Sequence, residues 1–275
     1  MSILRYLKKN IYLRIVNFVG LFIMLACLLL SAGYIRYELS YDRHHTNADR
    51  IVRISLQFNN DPVDGRILGN ALDDILLRIP EIEQTVKIDN IRTNVLVHQG
   101  KHHVVKNCYL VSPNFLQVFD IPLLWGESER ALDRPGKVII SEGLARQLFG
   151  EIDFETSEMS FELHGYNYPV SGIFKDIPEA SHFHTDVLFH LPNDDWSYAY
   201  TYLLLKANRT DIDALARKIT EHLEDEKLSQ SVFSQPTNSR ALLMPLTDIH
   251  LHSHNLREMG GNGKSRRCDK DRLGS

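Results

Sequence analysis

Cysteine is scarce in this chain. It has three in 275 residues: Cys27 inside an apolar run, Cys108 mid-chain and Cys268 in a polar stretch near the end. That scatter excludes a disulfide framework, so an exported domain must stand on its hydrophobic core. A strong charge of one sign is also missing. The net charge is −4 with no long basic stripe outside the two ends, which excludes a nucleic-acid partner. The sequence has no Gly-x-Ser-x-Gly elbow and no His-Glu-x-x-His pair, so two common hydrolase designs are out. Gly263-Lys264-Ser265 resembles the end of a phosphate loop, but the glycine needed five positions earlier is Glu258, and no apolar strand leads in. The reading is therefore of a protein that is not an enzyme, with no catalytic residue and no cofactor. With 43% hydrophobic and 24% charged residues, it still has the means to bury a real core.

Long apolar runs are limited to one, Ile15 to Ile35, which carries no charge. As a helix, 21 residues span roughly 30 Å, the hydrocarbon thickness of a bilayer. Arg5, Lys8, Lys9 and Arg14 precede it without an acid, and a mixed-charge segment follows. The positive-inside rule then keeps the N-terminus in the cytoplasm and exports the rest. Two rival readings are a buried core helix and a signal peptide cleaved near Ser31-Ala32-Gly33. Residues 1–14 read as a cytoplasmic amphipathic segment, or as a plain extension of the span.

Beyond the span the pattern alternates strands and helices. Arg50–Phe58 has period two, with Val52, Ile54, Leu56 and Phe58 inward and Arg53, Ser55 and Gln57 outward. A helix is expected at Gly69–Ile79, a strand at Thr85–Val97, and a hairpin turn at 98–101 leading to a strand over His103–Leu110. Ser112 is read as a helix cap, and Ser141 as the cap of GLARQLF, closed by Gly150. Strands follow near Met159–Leu163, Tyr168–Phe174, Asp186–His190 and Tyr198–Lys206. A helix over Asp211–Glu226 and a strand over Arg240–Leu246 close the pattern. Two strand–helix–strand units, one near each end, can pair into one split α+β sheet. The expected fold is α+β: a transmembrane helix at 15–35 and a core domain at 36–254. Within the core, subdomain 1 takes 50–98 with 198–250, and an inserted subdomain 2 takes 100–192. Residues 255–275 read as a disordered polar tail.

Thirteen histidines invite a metal reading. On a strand, His250, His252 and His254 would share one face and form the core of a site, but plain polar surface explains them as well, and no metal is expected. His44-His45, His102-His103 and His182/His184 are further pairs. Cys108 with His102 and His103 across a hairpin reads as a buried inert thiol. Tyr198, Tyr200 and Tyr202 form a stripe suited to core packing or a subunit interface. Asp73-Asp74 and Asp194-Asp195 are adjacent carboxylates on polar faces or loops.

The junction YELSYDRHHTNADRIVRI, after a membrane helix containing Gly20-Leu21, resembles the start of macrolide-exporter-type permeases (MacB/FtsX-like) of ABC transporters. So do SPNFLQVFDIPLLWGE, GKVIISEGLARQLFG, YPVSGIFKDIPEASHFHTDVLF and PLTDIHLHSH, in order and spacing. The resemblance covers about 1–263. It implies an inner-membrane permease subunit with its main domain in the periplasm, which transmits ATP-driven motion for export or mechanotransmission. The implied partners are a separate cytoplasmic ABC ATPase subunit, a second permease in a homodimer or heterodimer, and membrane lipid. Two departures stand out. EIDFETSE at 151–158 replaces a proline–isoleucine–glycine–lysine stretch. GGNGKSRRCDKDRLGS stands where the family enters a second membrane helix, which predicts a truncated or frameshifted permease with a single-pass anchor. The alternatives are a membrane-tethered periplasmic interaction module without transport activity and an exported metallohydrolase.

Overall fold

A computed structural model describes residues 11–59, 61–68, 72–91, 93, 95–150, 159–192, 198–207, 210–225, 239–253, 255 and 259. The chain divides into two compact units between Tyr41 and Asp42.

The first unit is one helix, Ile11–Glu38. Its stretch Arg14–Glu38 contains an 18-residue window of mean hydropathy 2.5, none of it buried in the protein. Phe18, Leu25 and Leu30 are more than half exposed. A core helix would hide such a surface, so the buried-helix reading has no core to support it.

The second unit is built on one mixed sheet. Its strands are β1 (Ile51–Phe58), β2 (Ile67–Leu68), β3 (Ile82–Ile91), β4 (Val95–His98), β5 (Lys101–Val104), β6 (Cys108–Val111) and β7 (Leu123–Trp125). They continue with β8 (Val138–Ser141), β9 (Ser160–Leu163), β10 (Tyr166–Phe174), β11 (Val187–His190), β12 (Tyr198–Leu205) and β13 (Ser239–Pro245). The order across the sheet is β13-β1-β12-β3-β6-β11-β8-β10-β9-β4-β5, with β2 on β12 and β7 on β10. The first four strands are antiparallel and interleave the two terminal strand–helix–strand units, so each pair is separated by one strand of the other. The helices Asp73–Leu77 and Ile212–Asp225 cover one face, where Ile75, Leu76, Leu215, Ile219 and Leu223 meet Val52, Ile54 and Leu203.

The other face corrects one expectation. Arg53 and Ser55 belong to the polar half of the β1 alternation, yet they are 1% and 4% exposed. The segment after β13 packs over them: Arg53 Nη2 donates to Ser253 Oγ at 2.6 Å, and Asn255 Nδ2 donates to Ser55 Oγ at 3.3 Å. Alternation reports polarity, and a distant segment decides burial.

Four further differences have local causes. Thr85–Val97 is two strands, because β3 ends at Ile91 and β4 pairs with β5 and β9 at the far end of the sheet. The helix expected at Gly69–Ile79 is Asp73–Leu77 among the described residues. Ser112 caps nothing; its hydroxyl accepts from Lys87 N–H at 2.9 Å, tying the loop to β3. Cys108 lies outside the hairpin, on β6 between β3 and β11. Ser141 does cap as expected, accepting from Leu144 N–H at 3.2 Å, and Gly150 ends that helix at φ +76°. The 151–158 departure and nearly all of the polar tail lie outside the described residues.

A buried clamp as the candidate functional site

The residues just past the apolar helix are bolted into the sheet. Asp42 holds a left-handed backbone (φ +57°), uncommon for any residue but glycine and tolerated best by Asp and Asn. Its N–H donates to Ala180 O at 2.9 Å. Its carboxylate accepts from Ser181 Oγ at 2.8 Å and from His182 N–H at 3.1 and 3.2 Å. His182 Nδ1 stands 2.9 Å from Asp42 Oδ1, with the ring N–H not aligned on the oxygen. On the far side of the ring, Nε2 meets the Tyr202 hydroxyl on β12 at 2.8 Å.

Three residues on, His45 Nδ1 lies 2.5 Å from Phe119 O. The carbonyl only accepts, so Nδ1 carries the proton and the buried Nε2 is bare, with no hydrogen-bond partner. Thr46 donates to Asp120, and Asn47 Nδ2 donates to Val118 O at 3.3 Å. Arg50 Nε donates to Leu205 O at 2.7 Å, and its guanidinium pairs with Glu83. Between these anchors Phe115, Phe119, Phe183 and Tyr202 pack edge to face or tilted, with ring centres 4.9 to 5.8 Å apart.

Electrostatics follow from burial. Desolvation alone would raise the Asp42 carboxyl, but the charge of His182 and hydrogen bonds from His182 and Ser181 outweigh it and bring it down to about 2. Desolvation dominates at His45, with the neighbouring His44 adding to it, and lowers the imidazole to about 4. Burial also lowers His44 and His184.

This constellation holds parts together and admits no substrate. Asp42 and Tyr202 are 0% exposed and His182 is 5% exposed, so no solute reaches the acid–histidine–tyrosine line. What it joins is the post-helix junction, the loop at 180–183, the helix Phe115–Val118 and β12.

Most of the residues singled out from sequence fall elsewhere. His250 and His252 sit on a helical turn, Ile249–His252, rather than a strand, so they point roughly 200° apart. His254, Asp194-Asp195 and Gly263-Lys264-Ser265 lie outside the described residues. Among the described residues no three His, Cys, Asp or Glu side chains gather as a ligand set. Cys108 is buried, and burial with the nearby Asp186 pushes its thiol up to about 12, which makes it a poor nucleophile. Across the hairpin from His102 and His103 stand Val97 and Leu96. Of the tyrosine stripe, Tyr200 and Tyr202 are core, whereas Tyr198 is 51% exposed beneath the Arg66 guanidinium. Asp73 pairs with Lys87 at 2.6 Å, while Asp74 is exposed. The exceptions are His44-His45, His182 and Tyr202, which the structure brings into the clamp. Sequence reasoning missed Asp42 and Ser181 as site residues, and read Tyr202 as core packing or an interface. The one available signal was that Asp42 and Ser181-His182 both occur in the segments carrying the family resemblance.

A family profile described as MacB-like periplasmic core domain matches residues 15–222. A solved domain from a Porphyromonas gingivalis protein described as a permease superposes with TM-score 0.56 at 19% identity, covering 73% of this chain and 91% of that one. The periplasmic region of MacB from Actinobacillus actinomycetemcomitans gives TM-score 0.50 at 14% identity, covering 73% and 90%. The extracellular domain of the noncanonic ABC-type transporter YknZ from Gram-positive bacteria gives 0.50 at 11% identity, covering 69% and 99%. A comparison with curated proteins gives no match. At these identities the superpositions speak for the fold.

Proposed function

The chain belongs to the MacB-like periplasmic core domain family of ABC-transporter permeases, and from that premise we propose that it works as a permease subunit whose core domain passes ATP-driven motion for export or mechanotransmission. The family is a transporter permease component rather than an enzyme. The observation that carries the proposal is the clamp. Within about ten residues of the apolar helix, Asp42, His45, Asn47 and Arg50 bond to three different parts of the sheet unit. A flexible tether needs no such anchoring. A rod that must push or rotate a domain does, because force passes only through residues that do not yield.

The same reading supplies the surroundings. Arg14 and the basic residues before it support a cytoplasmic N-terminus at the inner membrane, with the core in the periplasm. A separate cytoplasmic ABC ATPase, a second permease chain and membrane lipid are the partners.

Cross-linking native membranes and purifying the full chain tests this. The expected co-purifying species is an ATPase carrying a Walker-type phosphate loop, recovered in stoichiometric amount. Recovery of the chain with no such ATPase after cross-linking would remove the permease reading and leave a tethered interaction module.

A further inference from the structure

We infer that a cleft beside β10 binds an organic anion with a planar ring. The cleft measures about 550 Å³, within the roughly 300–1,000 Å³ usual for small-molecule sites. Its lining includes Arg134 and Lys137 from the segment leading into β8, and Tyr166, Asn167 and Tyr168 from β10. In a chain of net charge −4, this lining holds two cations and no carboxylate. Asp133 Oδ1 stands 3.9 Å from Arg134 Nε, at the long limit of a surface ion pair, with the Arg134 side chain 72% exposed, so the pair holds the guanidinium only weakly.

The aromatic wall is set in place. The Tyr168 ring stacks on Phe161 at 6.2 Å and meets Phe189 edge-on at 5.1 Å, so its position is decided by the core. Tyr166, two residues along on the same side, is 71% exposed and offers an uncovered face. An uncovered tyrosine face with two cations in the same lining suits a flat ring that ends in a carboxylate or phosphate.

The backbone argues against a peptide strand as the occupant. The turn at His164-Gly165 pairs Tyr166 with Leu163, and Val170 N–H donates to Met159 O at 2.9 Å. Residues 166, 168 and 170 therefore bond toward β9, and 167 and 169 turn their backbone outward. Pro169 has no N–H to give there, so an added strand finds a gap in the ladder. The inference does not depend on the transport reading.

The test uses the full chain in phosphatidylcholine nanodiscs, with empty discs as reference. Saturation-transfer NMR titrations follow 2-naphthoate, neutral 2-naphthamide and acetate. Naphthoate is expected to bind at least about tenfold more tightly than either comparator, since only it supplies both ring and charge. The double substitution Arg134→Ala/Lys137→Ala should weaken naphthoate about tenfold and leave naphthamide unchanged; Tyr166→Ala should weaken both ring compounds about threefold. These side chains lie outside the core, and an unchanged Tm confirms an intact fold. Equal affinity for naphthoate and naphthamide, or a double variant that binds like the parent, overturns the inference.

Discussion

At the scale of single residues, the clamp stands on one buried carboxylate. Removing it with Asp42→Ala strands His182 next to vacated space and leaves the Ser181 hydroxyl and the His182 N–H without an acceptor. The expected cost is about 3–5 kcal/mol, the usual price of breaking a buried pair from one side, read as a lower denaturation midpoint in urea. Acid should act at the same place. His45 is lowered in the fold to about 4, so between its ordinary value near 6.5 and that value the unfolded chain binds the extra proton. Stability from His45 is full above about 6.5 and drains as pH falls toward 4. The Asp42 contribution drains later, from the ordinary carboxylate range down to about 2. A Tm profile should therefore be flat from pH 8 to about 7 and then fall. His45→Asn keeps a donor for Phe119 O without a titrating ring and should flatten the first part of that fall. A slope unchanged in His45→Asn would remove His45 as its cause.

At the scale of elements, two tight approaches fix how helix and loop meet the sheet. Gly143 N–H, in the first turn of the helix Glu142–Phe149, donates to Asp176 Oδ1 at 2.9 Å. A Cβ on Gly143 would lie 3.2 Å from the Asp176 carboxylate, so Gly143→Ala must shift that side chain by a few tenths of an ångström and strain its bond to the helix. The expected loss is about 1–2 kcal/mol, seen as a Tm drop of a few degrees. Gly126 is more constrained. At φ +96° a Cβ would sit 2.6 Å from Ser171 O, a backbone atom that cannot swing aside, so Gly126→Ala should cost more than Gly143→Ala. Reversal of that order in thermal melts would mean that β7 shifts freely against β10. The inserted segment 100–192 is held as a proposal for an independent folding unit. Its strands join the terminal four only where β6 pairs with β3. Hydrogen exchange should then show β8, β10 and β11 opening together, separately from β1 and β12. One common exchange rate across all five would show a single cooperative sheet.

At the scale of the whole molecule, orientation is the decisive question. External protease added to spheroplasts should cut within 44–254. Protection of that segment in spheroplasts, with cutting within 44–254 in inverted vesicles instead, would reverse the assignment. The experiment needs only the intact chain.

Much of this protein was legible without coordinates. A charge-free run long enough for a bilayer, period-two strands, the Ser141 cap and the face of Ile212–Asp225 all come from local spacing, because backbone geometry repeats over a few residues whatever lies beyond. The resemblance supplied the family for the same reason, since its segments are contiguous. Arg53 is buried because the segment at 246–253 lies over it, and the clamp exists because positions 42, 119, 182 and 202 meet in space. Pairings across that much chain depend on which strands become neighbours. The free energy of the whole sheet settles that choice, and no window of sequence contains it.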